Sequence, residues 1–507
     1  MDHPCDHPTP HPAHTSANPG ANPVSATQAA AQPDEQVHDE LVTTRHRLDL
    51  ADSTLSYTAT TGRIVVGEEE VTEGTFRGQH PRALMGITAY TLDDADPTER
   101  PLTFVFNGGP GSASLWLHLG LVGPRTVEVG TPEEPATPPF RLVDNPDTLL
   151  RSTDLVVIDA MSTGYSRVVE GGRPRDWHGW SKDVAQVSEL IRLWVTRHGR
   201  WASPLYLLGE SYGTIRAVSV AERLQEEYAL YLNGIVLISS VLDFGSQDFD
   251  NLRWDDACVH FLPTYAAIAW YHGLHPDRSL EEVVTEAEQY ADGPYRSALA
   301  RGRRLEDQER QEVVDTLSRL TGLSRDYVER ADLRIEHQRF CSELLRDRGL
   351  VVGRIDGRYT GQLRSHTDEL ADTDPSGDDT LGAFSHALQH YLRAELGSTT
   401  EAVYHTGLPL WKDWNYHEFE GRPVNVTDKL ERVMRAQRGL RVRVEYGRYD
   451  LATPYFAARD TVDHLRLPAE AFDRIEESLF DVGHMIYLGC RQREAAEICE
   501  FIDGWRN

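Results

Sequence analysis

Leu205-Tyr206-Leu207-Leu208-Gly209-Glu210-Ser211-Tyr212-Gly213-Thr214-Ile215 is the stretch on which the fold turns. Its first four residues form a short apolar run, the pattern of a parallel strand covered by helices on both faces. The residues from Ile215 to Leu224, rich in Ala, Val, Glu and Arg, read as a helix. Between strand and helix, Gly209 and Gly213 flank Ser211 in the pattern G-x-S-x-G, and the glycines let the backbone turn sharply enough to expose a serine hydroxyl. An ordinary glycine turn carries the same pattern, so the motif takes its meaning from its surroundings.

Those surroundings repeat the arrangement. Leu102–Phe106, Asp154–Ile158 and Gly234–Ile238 are further near-continuous apolar runs, and Lys182–Arg197 carries apolar residues at 184, 187, 190, 191, 194 and 195, which is helical spacing. Strand and helix in alternation predict an α/β fold with a doubly wound, mostly parallel sheet. Upstream, Leu55–Ala59, Gly62–Val66 and Ala83–Tyr90 read as short alternating strands of an antiparallel edge. After Asp243 the pattern becomes mainly helical, with helices expected over Ser279–Tyr290 and Gln308–Leu320 and a Gly/Asp-rich link over Thr373–Asp379. Strand character returns at Arg441–Tyr446, and a closing helix is expected over Arg491–Trp505. The organisation is therefore a tail over 1–40, one α/β domain split into halves over 41–244 and 431–507, and an inserted helical cap over 245–430.

Composition excludes several classes of function. A formal charge of -29 on 507 residues repels phosphate, so neither nucleic acid nor an anionic membrane surface is an expected partner. No apolar run is long enough to span a bilayer. The start, Met1-Asp2-His3-Pro4, lacks the basic and apolar segments of a secretory signal. Five cysteines, at 5, 258, 341, 490 and 499, form no C-x-x-C pair and suit a reducing, cytoplasmic compartment. The Pro- and Ala-rich tail reads as disordered. Its His3, His7, His11, His14 and Cys5 are interleaved with prolines and lack a scaffold, so no metal site is assigned.

A serine hydroxyl is a weak nucleophile until a base takes its proton, and the base needs a carboxylate to fix its tautomer. In the α/β-hydrolase fold, whose nucleophile turn Gly209–Gly213 resembles, the chain order is Ser, then Asp or Glu, then His. Asp450 follows the strand at 441–446, and His484 sits in Asp481-Val482-Gly483-His484-Met485 before the last helix. Asp460, Asp463 and Asp481 are the alternatives to Asp450. Asn107-Gly108-Gly109-Pro110-Gly111-Ser112 follows another apolar strand, where a glycine-rich turn supplies an oxyanion donor, so the N–H groups of Gly109 and Tyr212 are candidates for one oxyanion hole. The loop lacks G-K-[ST] and G-x-G-x-x-G spacing, which argues against a phosphate cradle.

Together these blocks resemble the serine carboxypeptidase family, with its N-G-G-P-G-x-S-S, G-E-S-Y-[AG]-G, G-x-x-D and G-H-M signatures, over residues 45–507 except the insertion. The resemblance implies the α/β-hydrolase fold, Ser211 as nucleophile, His484 as base, Asp450 as orienter, and Gly109 and Tyr212 as oxyanion donors, with a peptide substrate and no metal or organic cofactor. It also implies that Asn107 and Glu210 hold the substrate's C-terminal carboxylate, with Glu210 protonated through burial. Asp159-Ala160-Met161-Ser162-Thr163-Gly164-Tyr165-Ser166 resembles a further family segment, with Met161 where proline is usual. The chain departs from the family in having Leu121 where a second carboxylate-binding glutamate is expected, and Ser112 where a cysteine is frequent. Leu121 keeps open an esterase or acyltransferase acting on a small molecule; a non-catalytic binding protein is a third reading. Trp411, Trp414 and Tyr416 suggest either an aromatic pocket wall or core packing. Nothing in the sequence indicates an oligomeric state.

Overall fold

Near-continuous apolar runs form the centre of the main sheet in the computed structural model, which describes residues 37–250 and 255–506. The tail through residue 36, with its histidines and Cys5, lies outside the described residues. The main strands are β1 (Glu40–Asp49), β2 (Thr54–Thr72), β3 (Thr75–Leu92), β4 (Leu102–Phe106), β5 (Asp154–Ile158), β6 (Leu205–Glu210), β7 (Gly234–Ile238), β8 (Arg441–Gly447) and β9 (Ile475–Phe480). They lie in the order β1-β2-β3-β5-β4-β6-β7-β8-β9. The first four in this order pair antiparallel, and from β5 onward every pairing is parallel. Among the described residues no helix is long and apolar enough to cross a membrane.

The longer helices are α1 (Trp180–Arg197), α2 (Tyr212–Tyr228), α3 (Asp256–Tyr271), α4 (Leu280–Tyr290), α5 (Asp307–Thr321), α6 (Pro375–Ala394), α7 (Thr427–Ala436) and α8 (Tyr487–Asp503). Strand residues alternate between two cores because successive side chains point to opposite faces. Phe104, Leu207, Ile235 and Val444 pack with α1, α2 and α7, whereas Val105, Leu208, Val236 and Phe480 pack with α8 and part of α6. Helices α3 to α7 all fall between β7 and β8, together with a small hairpin of Leu350–Val352 against Thr360–Gln362.

The structure differs from the sequence expectation in four places. The short N-terminal strands are parts of two long ones, β2 and β3, that pair through a register shift; Gly62 continues β2 at φ +142°, where a Cβ would lie 1.9 Å from the carbonyl oxygen of Glu40 on β1. The Thr373–Asp379 link is largely the first turn of α6, because Asp374 caps the helix by accepting the Ser376 N–H at 3.0 Å and Pro375 occupies its first position. The closing helix begins at Tyr487, with a non-helical Cys490 inside its first turns. Strand β9 escaped notice because it is an edge strand, half-buried over most of its length, with two consecutive glutamates.

Register sets up an unusual row of acids. Ile238 pairs with both Glu210 and Glu445, and Glu445 pairs with Ser478, so these side chains share the face that α8 covers. Glu494 of α8 is fully buried within electrostatic reach of Glu445 and Glu210, and neither of its carboxylate oxygens has a protein partner among the described residues. Glu445 accepts a hydrogen bond from Arg443 Nε at 2.6 Å, and Arg443 also binds Ser478 and Glu497 at the edge of the row. Burial holds the carboxyls of Glu445 and Glu494 well above the ordinary range, so the folded chain keeps protons that the unfolded chain releases above about pH 4.3. Stability therefore falls as pH rises from about 4.5 through neutrality, since the folded state binds more protons there. Chemical denaturation at pH 5 and pH 8 tests this: Glu494→Gln is expected to lose less stability than wild type across that interval, by at least about 1 kcal/mol. Equal pH dependence of the two proteins would contradict the assignment.

Candidate active site

Ser211 occupies the turn between β6 and α2 at φ 61°, ψ -129°, outside the comfortable range of an L-residue. Its N–H donates to the Ile238 carbonyl at 3.0 Å, and its own carbonyl accepts the N–H and hydroxyl of Thr214 at 2.8 and 2.7 Å. Three glycines make room for the turn. A Cβ on Gly209 would stand 2.2 Å from the Gly213 carbonyl oxygen, and one on Gly108 would stand 2.5 Å from the Tyr212 nitrogen. The glycine-rich loop after β4 thus lies against the first N–H of α2, at the positive end of the helix dipole. Gly109 and Tyr212 both line the cavity that Ser211 enters, of about 380 Å³.

His484 and Asp450 come from loops beyond β9 and β8, at the carboxyl ends of the strands. His484 Nδ1 lies 2.6 Å from Asp450 Oδ2, which also accepts the Thr453 hydroxyl at 2.6 Å. Asp450 Oδ1 accepts the N–H groups of Ala452 and Thr453 at 2.7 and 3.0 Å. Asp450 is fully buried, and with Nδ1 committed to it the Nε2 atom of His484 is the one available to a hydroxyl in the cavity. Burial pulls the imidazole pKa down, but Asp450, through its charge and hydrogen bond, and Glu210 outweigh it and hold the pKa above the ordinary histidine value. Of the alternative carboxylates, Asp481 is bound to Arg448 at 2.6 Å and Asp460 lies beside His260 and His464.

Asn107 and Glu210 form a second pair on the floor of the cavity. Asn107 Nδ2 donates to Glu210 Oε1 at 2.8 Å, while Asn107 Oδ1 accepts the Leu117 N–H at 3.1 Å, which orients the amide. The Asn107 carbonyl accepts from Arg216 of α2, itself buried and paired with Asp183 of α1 at 2.8 Å. Glu210 Oε2 is buried without a partner among the described residues. Burial pushes the Glu210 carboxyl up to about 7, against the opposing pull of His484, the Tyr487 hydroxyl and Asn107. A protonated Glu210 adds a hydrogen-bond donor to the cavity beside the Asn107 amide.

Leu121 is fully buried in the core, its carbonyl held by Asn145 Nδ2 at 2.9 Å, so this position offers nothing to the cavity. Next to it Gly120 leaves room for the ring of Tyr487, since a Cβ there would stand 2.3 Å from that ring. The Tyr487 hydroxyl faces Glu210 and Asn107. Ser112 lines the cavity, while Met161 is core. The Asp159–Ser166 segment braces the glycine-rich loop after β4, with Asp159 Oδ1 accepting the Ser114 N–H at 2.9 Å. Trp414 and Tyr416 pack against Tyr212, with Trp414 Nε1 donating to the Tyr212 hydroxyl at 3.1 Å, and form no part of the cavity wall; Trp411 is exposed.

Sequence reasoning passed over Thr453, Tyr487, Phe244, Gln247 and Arg354, of which all but Tyr487 line the cavity. Thr453 carried a faint signal, a hydroxyl three residues past the candidate aspartate. The others reach the site only because distant segments fold onto it.

Kex1(delta)p, a prohormone-processing carboxypeptidase from Saccharomyces cerevisiae, superposes with a TM-score of 0.53 at 14% identity, covering 89% of this chain and 91% of its own. That likeness is one of fold, and the sheet described above is the α/β-hydrolase sheet. A proline iminopeptidase from Mycobacterium smegmatis matches more loosely, with a TM-score of 0.34 at 14% identity over 91% of this chain and 98% of its own. No curated protein matches significantly by sequence. The family model for serine carboxypeptidases matches residues 89–479, well over half of the chain, and the protein is a member of the serine carboxypeptidase family of hydrolases.

Proposed function

We propose that the protein removes C-terminal residues from peptides through an acyl-enzyme on Ser211. The observation that carries this reading is that one cavity joins Ser211 and the hydrogen-bonded His484–Asp450 pair to the buried Asn107–Glu210 pair. Ser211 Oγ attacks the carbonyl carbon of the last peptide bond as His484 Nε2 takes its proton. The oxyanion that forms meets the N–H groups of Gly109 and Tyr212. Collapse of the intermediate breaks the C–N bond, His484 returns the proton to the leaving amine, and water then hydrolyses the ester by the reverse use of the same groups. Asn107 and protonated Glu210 hydrogen-bond the substrate's C-terminal carboxylate.

Leu121 favours a second reading, because a site with one fewer carboxylate-binding group also suits an ester or another acyl donor without a free C-terminus. The same machinery would act there with Asn107 and Glu210 idle.

A fluorophosphonate probe is expected to label wild type and not Ser211→Ala. Asp450→Ala is expected to lower turnover at least about a hundredfold, since the imidazole loses its orienter; a near-normal rate would move that role to another carboxylate.

The pH dependence separates the two readings. His484 acts as base only when neutral, so rates rise with pH through its raised pKa. Glu210 donates to a carboxylate only when protonated, so cleavage of a free-acid substrate falls again as pH passes about 7. An N-blocked dipeptide is expected to show both limbs, its C-terminal amide the rising limb alone, and Glu210→Gln should remove the falling limb for the free acid. Equal cleavage of acid and amide, with an ester still hydrolysed, would reject the exopeptidase reading.

A further inference from the structure

Among the described residues, Arg354 is the one lysine or arginine that lines the catalytic cavity. It also lines an adjoining cavity of about 500 Å³ that shares Gly109 with the first, and among the described residues it is the one such residue there too. Among the described residues its guanidinium has no ion-pair partner, whereas nearby Arg358 and Arg364 are paired with Asp356 and Asp368. The acids of the adjoining cavity are engaged elsewhere. Asp372 lies 3.2 Å from Arg364, and Asp374 binds the backbone N–H groups of Arg354 and Ile355 at 3.0 Å and caps α6 with its other oxygen. Arg354 is half-buried, and a guanidinium without an ion-pair partner gains charge-assisted hydrogen bonds when a carboxylate arrives.

The backbone of Arg354 is fixed against the loops that carry the triad candidates. Its carbonyl accepts the Leu451 N–H at 2.9 Å, next to Asp450, and the following carbonyl, of Ile355, accepts the His484 N–H at 2.8 Å. This puts Arg354 on the His484 side of the cavity. His484 must reach the leaving nitrogen to protonate it, so the departing residue lies on that side as well. Its α-carboxylate is taken by Asn107 and Glu210, which leaves its side chain as the group that Arg354 can meet.

We propose that Arg354 pairs with the side-chain carboxylate of the departing residue, making the enzyme selective for peptides that end in Asp or Glu. This rests on the carboxypeptidase reading and adds a substrate class to it. The protein's overall charge of -29 opposes such peptides at long range, and Arg354 supplies the local counter-charge where water is partly excluded.

The test uses N-blocked dipeptides that share one acyl residue and end in Glu, Gln or Lys, assayed at about pH 6 with wild type, Arg354→Gln and Arg354→Glu; fluorophosphonate labelling of Ser211 reports that each variant is folded. Wild type is expected to favour Glu over Gln about tenfold or more in kcat/KM, expressed mainly in KM. Arg354→Gln should bring that ratio near unity, and Arg354→Glu should favour Lys over Glu. Indifference of wild type to Glu and Gln, or an unchanged ratio in Arg354→Gln, would overturn the assignment. So would an equal loss on all three substrates, which would mean that Arg354 serves the α-carboxylate or the fold. Wild type that cleaves none of the three while hydrolysing an ester would instead overturn the carboxypeptidase reading on which the assignment rests.

Discussion

The backbone of Ser211 is the constraint around which the rest is organised. A non-glycine residue at φ 61°, ψ -129° costs about 1 to 3 kcal/mol and persists only where its surroundings leave no alternative. Here β6 enters the turn locked between β4 and β7, α2 leaves it locked against α1 through the buried Arg216–Asp183 pair, and glycines at 108, 209 and 213 remove the side chains that would collide. The strain serves geometry: it lifts one hydroxyl out of the sheet at the point where the first N–H of a helix and a glycine loop converge.

Burial and hydrogen bonding then set the chemistry of the site. Asp450 is fully buried but receives four hydrogen bonds, two of them from backbone N–H groups, and it makes His484 a stronger base than a free imidazole. Glu210 is as deeply placed but receives only the Asn107 amide within hydrogen-bond geometry, so desolvation prevails and its proton is retained toward neutral pH. Glu445 and Glu494 extend the same condition across the sheet, so the helix that seals this face also keeps the floor of the site in a low-dielectric setting.

Much of this was legible in the chain. Strands β4 to β7 stand where near-continuous apolar runs announced them, because a strand buried on both faces is apolar over most of its length. Gly209, Ser211, Gly213, Asp450 and His484 were legible because tight turns, and the chain order expected of a candidate triad, call for particular residue types at particular places. Strand β9 was not, since an edge strand tolerates Glu476 and Glu477, which pair with Arg441 and the Tyr446 hydroxyl on its neighbour, and the start of α6 was obscured by Gly377 and two aspartates that suit a helix's first turn as well as a loop. Tyr487 and Arg354 were invisible for another reason: their meaning lies in residues far along the chain, Asn107 and Glu210 for the one and the loops of Asp450 and His484 for the other, which no local pattern encodes.

The sequence by itself determined the fold class, the tight turn at Gly209–Gly213 and the family, because each rests on short-range requirements: burial of both sheet faces, glycine where the backbone turns, and short motifs of fixed spacing. Only the tertiary structure decided what surrounds the serine. Leu121 withdraws into the core while Tyr487 comes up beside Glu210; Trp414 and Tyr416 support Tyr212 instead of lining the cavity; and Arg354 is carried by the segment between β7 and β8 to the edge of His484. Pockets are made by residues brought together across loops and layers, and their charge balance follows from desolvation and partners that exist only once the chain has closed around them.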